Sequence, residues 1–148
     1  MTIEETQQDI IEEFSVFTEW MDRYSYLIEL GNQLEKFDNQ YKTSQNLIKG
    51  CQSRVWLLAE KKNGKLYFRG ESDALIVKGL VALLLRVFSG HTPNEIVESN
   101  LHFINDLGLN NHLSPTRSNG LMAMIKQIRL YAVAYKRLED KGGSYEEK

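Results

Sequence analysis

The spacing of apolar residues predicts helical structure over the first part of the chain. Thr2, with Glu5 three residues later, has the form of a capping box. Apolar residues then recur at helical spacing, at Ile10, Phe14, Phe17, Met21, Tyr24, Leu27 and Ile28. This pattern predicts one long helix, or two shorter helices that meet near residues 18–20, ending before Gly31. The polar residues 34–46 that follow show no such period and predict an exposed loop.

A β-hairpin is predicted in the middle of the chain. Residues 53–60 and 66–70 are rich in strand-forming side chains, and the lysine-rich segment between them contains Asn63-Gly64. Both turn residues tolerate the positive φ of a type I′ turn, which makes this pair a strong hairpin signal. A further short strand over residues 46–49 is a candidate third member of the sheet.

The second half of the chain predicts more helices. Asp73 is a candidate N-cap for a helix over residues 74–89 that is apolar nearly all round and should therefore be the central, buried one. Thr92 and Ser114 each precede a proline and predict the starts of a short helix and of the final helix. We expect residues 140–148 to form a flexible tail. The whole chain, residues 1–148, is predicted to be one α+β domain, with a small antiparallel sheet of two or three strands packed on several helices.

The amino-acid composition limits the classes of protein to which the chain can belong. The chain has 148 residues, of which 42% are hydrophobic, and a net charge of −2, so it carries a core but no overall basic character. We expect no nucleic-acid partner, and the basic run Lys126, Arg129, Lys136 and Arg137 is interpreted as a solvated helix face. The acidic amino terminus does not have the pattern of a signal peptide, and the longest apolar run, residues 74–88, is shorter than the roughly 20 residues that span a bilayer. We therefore expect a cytoplasmic protein that does not enter a membrane.

The sequence gives little evidence for a bound cofactor or metal ion. The single cysteine, Cys51, cannot form an internal disulfide, a redox pair or a cysteine-rich metal site. His91, His102 and His112 lack i, i+4 pairing, and the scattered glycines form no phosphate-binding loop. We expect no bound cofactor or metal.

Two interpretations of Cys51 are open from its surroundings alone. Cysteine is often a small buried hydrophobic residue. Alternatively, Cys51 is a reactive thiol at a loop tip, where Gly50 permits a tight turn and Lys49 or Arg54 favours the thiolate, unless both cations simply face solvent.

The residues around Cys51 resemble the cysteine signature of the SufE family, the sulfur acceptors of cysteine desulfurases. The matching segment is Gly50-Cys51-Gln52-Ser53-Arg54-Val55-Trp56-Leu57. Three further segments match in the family's order, at residues 26–31, 72–80 and 113–125, so that the resemblance covers about residues 5–138.

The resemblance implies a SufE/NifU-like fold and a function as a covalent sulfur relay that is not itself a stand-alone enzyme. Cys51 would accept persulfide sulfur from a pyridoxal-phosphate-dependent, SufS-like cysteine desulfurase, stimulate that enzyme, and pass the sulfur to a SufBCD-like iron–sulfur scaffold. Arg117 would stabilise the thiolate or persulfide, unless it caps or pairs at its helix start. The loop residues Gly50, Gln52, Ser53 and Arg54, together with Asp73, would contact the partner. A monomer or weak homodimer is expected.

Two other functions remain open at this point. The chain is alternatively a non-covalent regulatory module of a desulfurase, or a stand-alone thiol enzyme, although the cysteine motif contains no histidine to act as its base. The sequence does not separate the SufE type from its close paralogue that serves another desulfurase.

Overall fold

Two helices begin the chain. The computed structural model describes residues 1–142, and its first elements are α1 (Ile3–Ser15) and α2 (Trp20–Asn32). The predicted capping box is confirmed, because the Glu5 amide donates to Thr2 Oγ1 at 3.0 Å and the Thr2 amide donates to Glu5 Oε1 at 2.8 Å. Of the two alternatives for this segment, the pair of shorter helices is correct.

The predicted hairpin forms the whole sheet of the described residues. Strands β1 (Val55–Lys62) and β2 (Lys65–Ser72) pair antiparallel in a two-stranded sheet. Asn63 and Gly64 both have positive φ, at 52° and 78°, as the predicted turn requires. Local turn chemistry therefore sets the register of the hairpin.

The segment before β1 differs from its prediction in two ways. The candidate third strand is reduced to one antiparallel bridge between Leu47 and Trp56. The loop over residues 34–46 contains a 3₁₀ turn at Asn39–Tyr41 and is not wholly exposed, because Phe37 is only 5% accessible and is buried. A single aromatic residue among polar neighbours has no period from which its burial could be predicted.

Helix α3 (Leu75–Phe88) is the buried centre of the fold, as its apolar sequence predicts. It packs between α2 on one side and β2 on the other. The prediction that Asp73 caps this helix is wrong: the N-cap is Ala74, and no side chain caps the helix. The Asp73 carboxylate accepts a hydrogen bond from the Arg54 amide instead.

Helices α2 and α3 cross at very short range. A Cβ atom added to Gly79 would lie 2.2 Å from the main-chain oxygen of Leu27, and one added to Gly31 would lie 2.8 Å from the Gly79 nitrogen. Two glycines thus let the backbones of the two helices touch. This crossing occupies two of the segments that carry the family resemblance.

The remaining helices are α4 (Pro93–Glu98), α5 (Phe103–Asp106), α6 (Leu109–His112) and α7 (Pro115–Gly142). The helix start predicted at Thr92 is confirmed, and Thr92 forms a capping box with Glu95. The start of α7 is also confirmed, because Ser114 Oγ accepts from the Arg117 amide at 3.3 Å. Residues 140–142 continue α7, and the rest of the predicted flexible tail lies outside the described residues.

One hydrophobic core joins the sheet to the helices. It contains residues from α1, α2, both strands and α3 to α7, including the fully buried Phe14, Leu66, Phe88 and Ile128. The predicted α+β class, with a small antiparallel sheet packed on helices, is confirmed. Over residues 1–142 no helix combines the length and the apolar character that a bilayer crossing needs.

Candidate functional site

Cys51 lies in a loop that is closed at its base by hydrogen bonds. We call residues 49–54 the cysteine loop. At one end of it, the Ile48 amide donates to the Val55 oxygen at 2.8 Å, and the Leu57 amide donates to the Asn46 oxygen at 2.9 Å. These bonds hold the two arms of the loop together, so that Gly50, Cys51, Gln52 and Ser53 form its tip.

The carboxyl-terminal arm of the loop is attached to the start of α3. The Arg54 amide donates to Asp73 Oδ1 at 3.0 Å, and the Asp73 amide donates back to the Arg54 oxygen at 3.2 Å. Ser72 Oγ donates to the same oxygen at 2.9 Å. Asp73 therefore fixes the loop rather than the helix, although the carboxylate itself is exposed to solvent.

The tip of the loop folds against α7. Cys51 is half-buried, and its Sγ donates a hydrogen bond to the main-chain oxygen of Gly120 at 3.5 Å. Gly50 adopts a φ of +92°, a left-handed conformation that side chains rarely allow, and an added Cβ there would lie 3.5 Å from the Ala123 Cβ. One turn of α7, from Gly120 to Ala123, thus supports the thiol.

Burial raises the pKa of the Cys51 thiol above its ordinary value. The physical cause is that a half-buried thiolate loses hydration, whereas a nearby cation would lower the pKa. The contact with a carbonyl oxygen agrees with this direction, because the thiol can donate to that oxygen and the thiolate cannot. The folded loop therefore holds Cys51 as a neutral thiol near pH 7.

A groove of about 540 Å³ lies beside the cysteine loop. Its lining brings together loop residues, the start of α3 and the start of α7, namely Gln52, Ser53, Ala74, Val77, Ser114, Thr116 and Arg117. Three predicted site residues, Gln52, Ser53 and Arg117, therefore share one surface. Arg117 is exposed and precedes Gly120 by one turn of α7, whereas Cys51 is absent from the groove lining and contacts Gly120 instead.

A second depression lies on the other side of the loop. Its lining joins the segment before β1 to α7, namely Ser44, Gln45, Leu47, Ile48, Lys49, Ala123, Lys126, Gln127 and Leu130. Lys49, predicted as a candidate cation for the thiolate, lines this depression and is exposed. Arg54, the other candidate, is exposed at the end of the loop.

Sequence reasoning missed Gly120 as part of the site. It lies within the matching segment at residues 113–125, but its residue type alone indicates no function. Glycine inside a helix is less favourable than alanine, and this position lies well within α7. That local cost is the one sequence signal that marks Gly120 as unusual.

Each histidine of the chain contacts residues other than Cys51. All of them fall within the described residues: His91 lies beside Glu95, His102 contacts Glu4 and Asp106, and His112 stacks on Trp20. Among residues 1–142 no three histidine, cysteine or acidic side chains are grouped so that they could hold a metal ion.

Comparison with known proteins gives consistent results. The sequence model of the SufE family, described as the Fe-S metabolism associated domain, matches residues 8–132. A curated protein of Rhizobium meliloti (strain 1021), named an uncharacterised SufE-like protein, is 44% identical over an alignment of 125 residues that covers 81% of this chain and 89% of that protein. The solution structure of a hypothetical protein from Thermus thermophilus superposes with a TM-score of 0.71 at 20% identity, covering 87% of this chain and 94% of that one. This last likeness concerns the fold.

Proposed function

Because the chain belongs to the SufE family and so to a domain associated with Fe–S metabolism, we propose that it is a sulfur carrier with Cys51 as the acceptor. Cys51 takes persulfide sulfur from a pyridoxal-phosphate-dependent cysteine desulfurase and passes it to an iron–sulfur scaffold. By clearing the persulfide, the protein stimulates the desulfurase. The protein acts as a covalent relay and not as a stand-alone enzyme.

The observation that carries this proposal is the setting of the one cysteine of the chain. Cys51 lies at the tip of a loop that is bonded at both ends, and its thiol is tucked against α7. A purely structural cysteine needs no such loop. A carrier, in contrast, must both offer its sulfur to a partner and shelter it from other thiols, and a second cysteine nearby would release the sulfur as a disulfide forms.

The proposed transfer is a thiol–disulfide type of exchange. The Cys51 thiolate attacks the terminal sulfur of the donor persulfide, and a new S–S bond forms at Cys51. The S–S bond of the donor breaks, its electron pair stays on the donor cysteine sulfur, and that cysteine becomes a thiolate again. No external oxidant or reductant is consumed, because one sulfane sulfur changes carrier.

Transfer requires the loop to leave α7. In the folded-back position the thiol is half-buried and its pKa is raised, so the nucleophilic thiolate is scarce. When the tip turns outward, the thiol regains water and its pKa falls toward the ordinary value. The backbone bonds of Ile48 with Val55 and of Leu57 with Asn46 keep the base of the loop in place during this motion, whereas the bond from the Arg54 amide to Asp73 belongs to the folded-back position.

The surface around the loop suits a protein partner. Exposed cations lie on both sides of it, Arg117 beside one groove and Lys49 with Lys126 beside the other. Leu75, next to the first groove, is 59% exposed and offers an apolar contact. We assign this surface to a SufS-like desulfurase and then to a SufBCD-like scaffold in the cytoplasm, with the carrier as a monomer or weak homodimer. Gly50, Gln52, Ser53, Arg54 and Asp73 take part through the loop, and Arg117 stabilises the persulfide anion once the loop has moved.

The test is to incubate the protein with a cysteine desulfurase and cysteine and then record its intact mass. We expect a gain of one sulfur atom that reductant reverses. The matched control is Cys51→Ser, which keeps the size of the side chain and removes the nucleophile. This variant should neither gain sulfur nor stimulate the desulfurase.

Two other results of these experiments would indicate a different function. If Cys51→Ser stimulates the desulfurase as well as the parent protein does, the chain is a non-covalent regulator and the relay is wrong. Turnover of a small thiol-reactive substrate without any desulfurase would instead indicate a stand-alone enzyme.

A further inference from the structure

The side of α7 next to the cysteine loop carries exposed apolar side chains. The depression of about 460 Å³ beside the loop meets a second one, of about 340 Å³, at Lys126 and Leu130. Leu47, Met122 and Leu130 are 37%, 59% and 50% exposed there. Isolated exposed apolar residues are ordinary, but a continuous set of them beside a functional site indicates an interaction surface. We call this surface the α7 face, and its members are Leu47, Lys49, Met122, Lys126, Leu130 and Val133.

The charged members of the α7 face are both lysines, and they have no acidic partner. Among residues 1–142, Lys49 and Lys126 form no ion pair, and no described aspartate or glutamate lines either depression. Other cations of the chain are already engaged: Lys78 pairs with Glu71, and Arg129 donates to two main-chain oxygens at the end of α4, at 3.1 and 3.3 Å. The two lysines therefore place uncompensated positive charge beside exposed apolar groups.

This combination of groups selects the chemistry of an occupant. A segment that carries acidic side chains beside apolar ones would pair with the lysines and cover the three exposed apolar residues. A second copy of the chain in a symmetric dimer does not fit, because a two-fold interface joins identical patches and would set one cationic face against another. The occupant that fits is an acidic, amphipathic segment of a different protein.

The α7 face becomes larger when the cysteine loop opens. In the folded-back position Gly50 packs on Ala123, which lines the depression beside the loop, and a Cβ added to Gly50 would lie 3.5 Å from the Ala123 Cβ. A tip that turns outward uncovers Ala123 and adds it to the face. A partner that covers the enlarged face therefore binds the open loop better than the closed one and shifts the equilibrium toward it.

The groove on the other side of the loop has the opposite relation to the motion. Gln52 and Ser53, at the tip, line it together with Arg117, so this groove is complete only while the tip is folded back. A partner that recognises the resting carrier fits this groove, whereas a partner that meets the opened carrier fits the α7 face. In the proposed sequence of events the desulfurase meets the resting carrier, and the sulfur-receiving protein meets it after the loop has opened.

We propose that the α7 face is the docking surface for the protein that receives the sulfur, through an acidic, amphipathic segment of that protein. The inference rests on the proposed sulfur-carrier function and divides the surface around the loop between two partners. The groove at Arg117 serves chiefly the donor, and the α7 face serves chiefly the acceptor. Docking on this face forms no covalent bond.

The experiment compares Lys126→Glu and Leu130→Gln with the parent protein. The matched control for charge is Lys62→Glu, because Lys62 is exposed at the end of β1 that is distant from the cysteine loop. The control for the apolar change is Leu138→Gln, since Leu138 is 44% exposed near the end of α7. Each protein is loaded with a desulfurase and cysteine, separated from the enzyme, and mixed with a SufBCD-like scaffold below its saturating concentration, while intact mass follows the sulfur. Because all four side chains are exposed, the urea midpoints should stay at the parent value.

We expect Lys126→Glu to deliver sulfur to the scaffold about tenfold more slowly than the parent protein, because a glutamate repels an acidic segment. Leu130→Gln should deliver it about fivefold more slowly, because it loses an apolar contact. Loading by the desulfurase should slow much less in both variants, and both controls should match the parent in both steps. Added salt should slow delivery by the parent protein more than delivery by Lys126→Glu.

Three results would overturn the inference. Delivery by Lys126→Glu at the parent rate would show that the face is not used. Equal losses in loading and in delivery would show that the face serves the donor as much as the acceptor. The same loss of delivery in Lys62→Glu would show an effect of net charge instead of local docking. If the parent protein takes up no sulfur or delivers none, the carrier function itself is refuted, a result distinct from these.

Discussion

The α2–α3 crossing and the contact of the cysteine loop with α7 both depend on helical glycines, but for opposite reasons. At the crossing, Gly79 faces the Leu27 oxygen with no room for a side chain, and Gly31 lies almost as close to α3. At the loop, Gly120 faces Cys51 Sγ across an ordinary contact distance. The first glycine is imposed by the fold, whereas the second leaves space that the resting fold does not fill.

The two contacts also differ in strength. Helices α2 and α3 meet backbone to backbone within the hydrophobic core, so their separation would expose buried apolar surface. The tip of the cysteine loop is held by the hydrogen bond from Cys51 to Gly120 and by limited packing at Ala123. A single hydrogen bond contributes about 1 kcal/mol. The α2–α3 contact therefore breaks only when the protein unfolds, whereas the contact of the cysteine loop with α7 can open in the folded protein.

Gly79→Ala should have the largest effect on stability. The new methyl group would clash with the backbone of α2, which must move away, and overpacking of this kind outweighs the roughly 1 kcal/mol gained in helix propensity. We expect the free energy of unfolding, measured by urea denaturation, to fall by about 2–3 kcal/mol.

Gly120→Ala is the matched control for the urea denaturation of Gly79→Ala, because it makes the same chemical change at another buried helix position. Its free energy of unfolding should rise. If Gly79→Ala proved as stable as the parent protein, the crossing would be more adaptable than the 2.2 Å approach indicates, and the contrast between the two glycines would disappear.

The structural elements were predictable from sequence where local chemistry determines them. The Asn63-Gly64 turn and the helix starts at Thr2 and Thr92 are determined by residues that are neighbours in the chain. The local sequence was therefore sufficient to predict them. Asp73 was not predictable in this way, because a distant amide, that of Arg54, competes with the helix end for its carboxylate. Burial of Phe37 likewise depends on tertiary contacts.

The sequence predicts which residues belong to the candidate site, but it does not predict how they are arranged. The motif around Cys51 indicated the thiol and its loop, and Arg117 followed from the resemblance. The Cys51–Gly120 contact joins residues 69 positions apart, and no local pattern reports such a pairing. The sequence placed Cys51 and Arg117 in one functional group, whereas Arg117 lines a groove beside the loop and the thiol contacts Gly120.

Asp73→Ala should loosen the loop and leave the crossing intact. The variant removes the acceptor of the Arg54 amide, which lies 3.0 Å from Asp73 Oδ1. A lost hydrogen bond of about 1 kcal/mol corresponds to about a fivefold increase in the open population of the loop. We expect iodoacetamide to alkylate Cys51 about five times faster, with a much smaller change in the urea midpoint than in Gly79→Ala.

Asp73→Asn serves as the control, because its side-chain oxygen can still accept from the same amide. It should remain near the parent rate of alkylation. Equal rates for the parent protein and Asp73→Ala would mean that the carboxylate does not restrain the loop.

The pH dependence of Cys51 alkylation gives the finest test of the difference between a fixed contact and one that opens. Burial raises the pKa of the thiol, so at any pH below that value the folded protein contains less thiolate than an unfolded chain does. Alkylation rate follows thiolate fraction, and its midpoint should therefore lie above about 8.5, the ordinary value for cysteine. In Asp73→Ala the midpoint should move down toward that value, because the open loop hydrates the thiolate.

A midpoint for the parent protein at or below that of the urea-unfolded chain would contradict this account. It would indicate that a cation such as Arg117 outweighs burial already in the folded-back loop, and Arg117→Ala would then raise the midpoint.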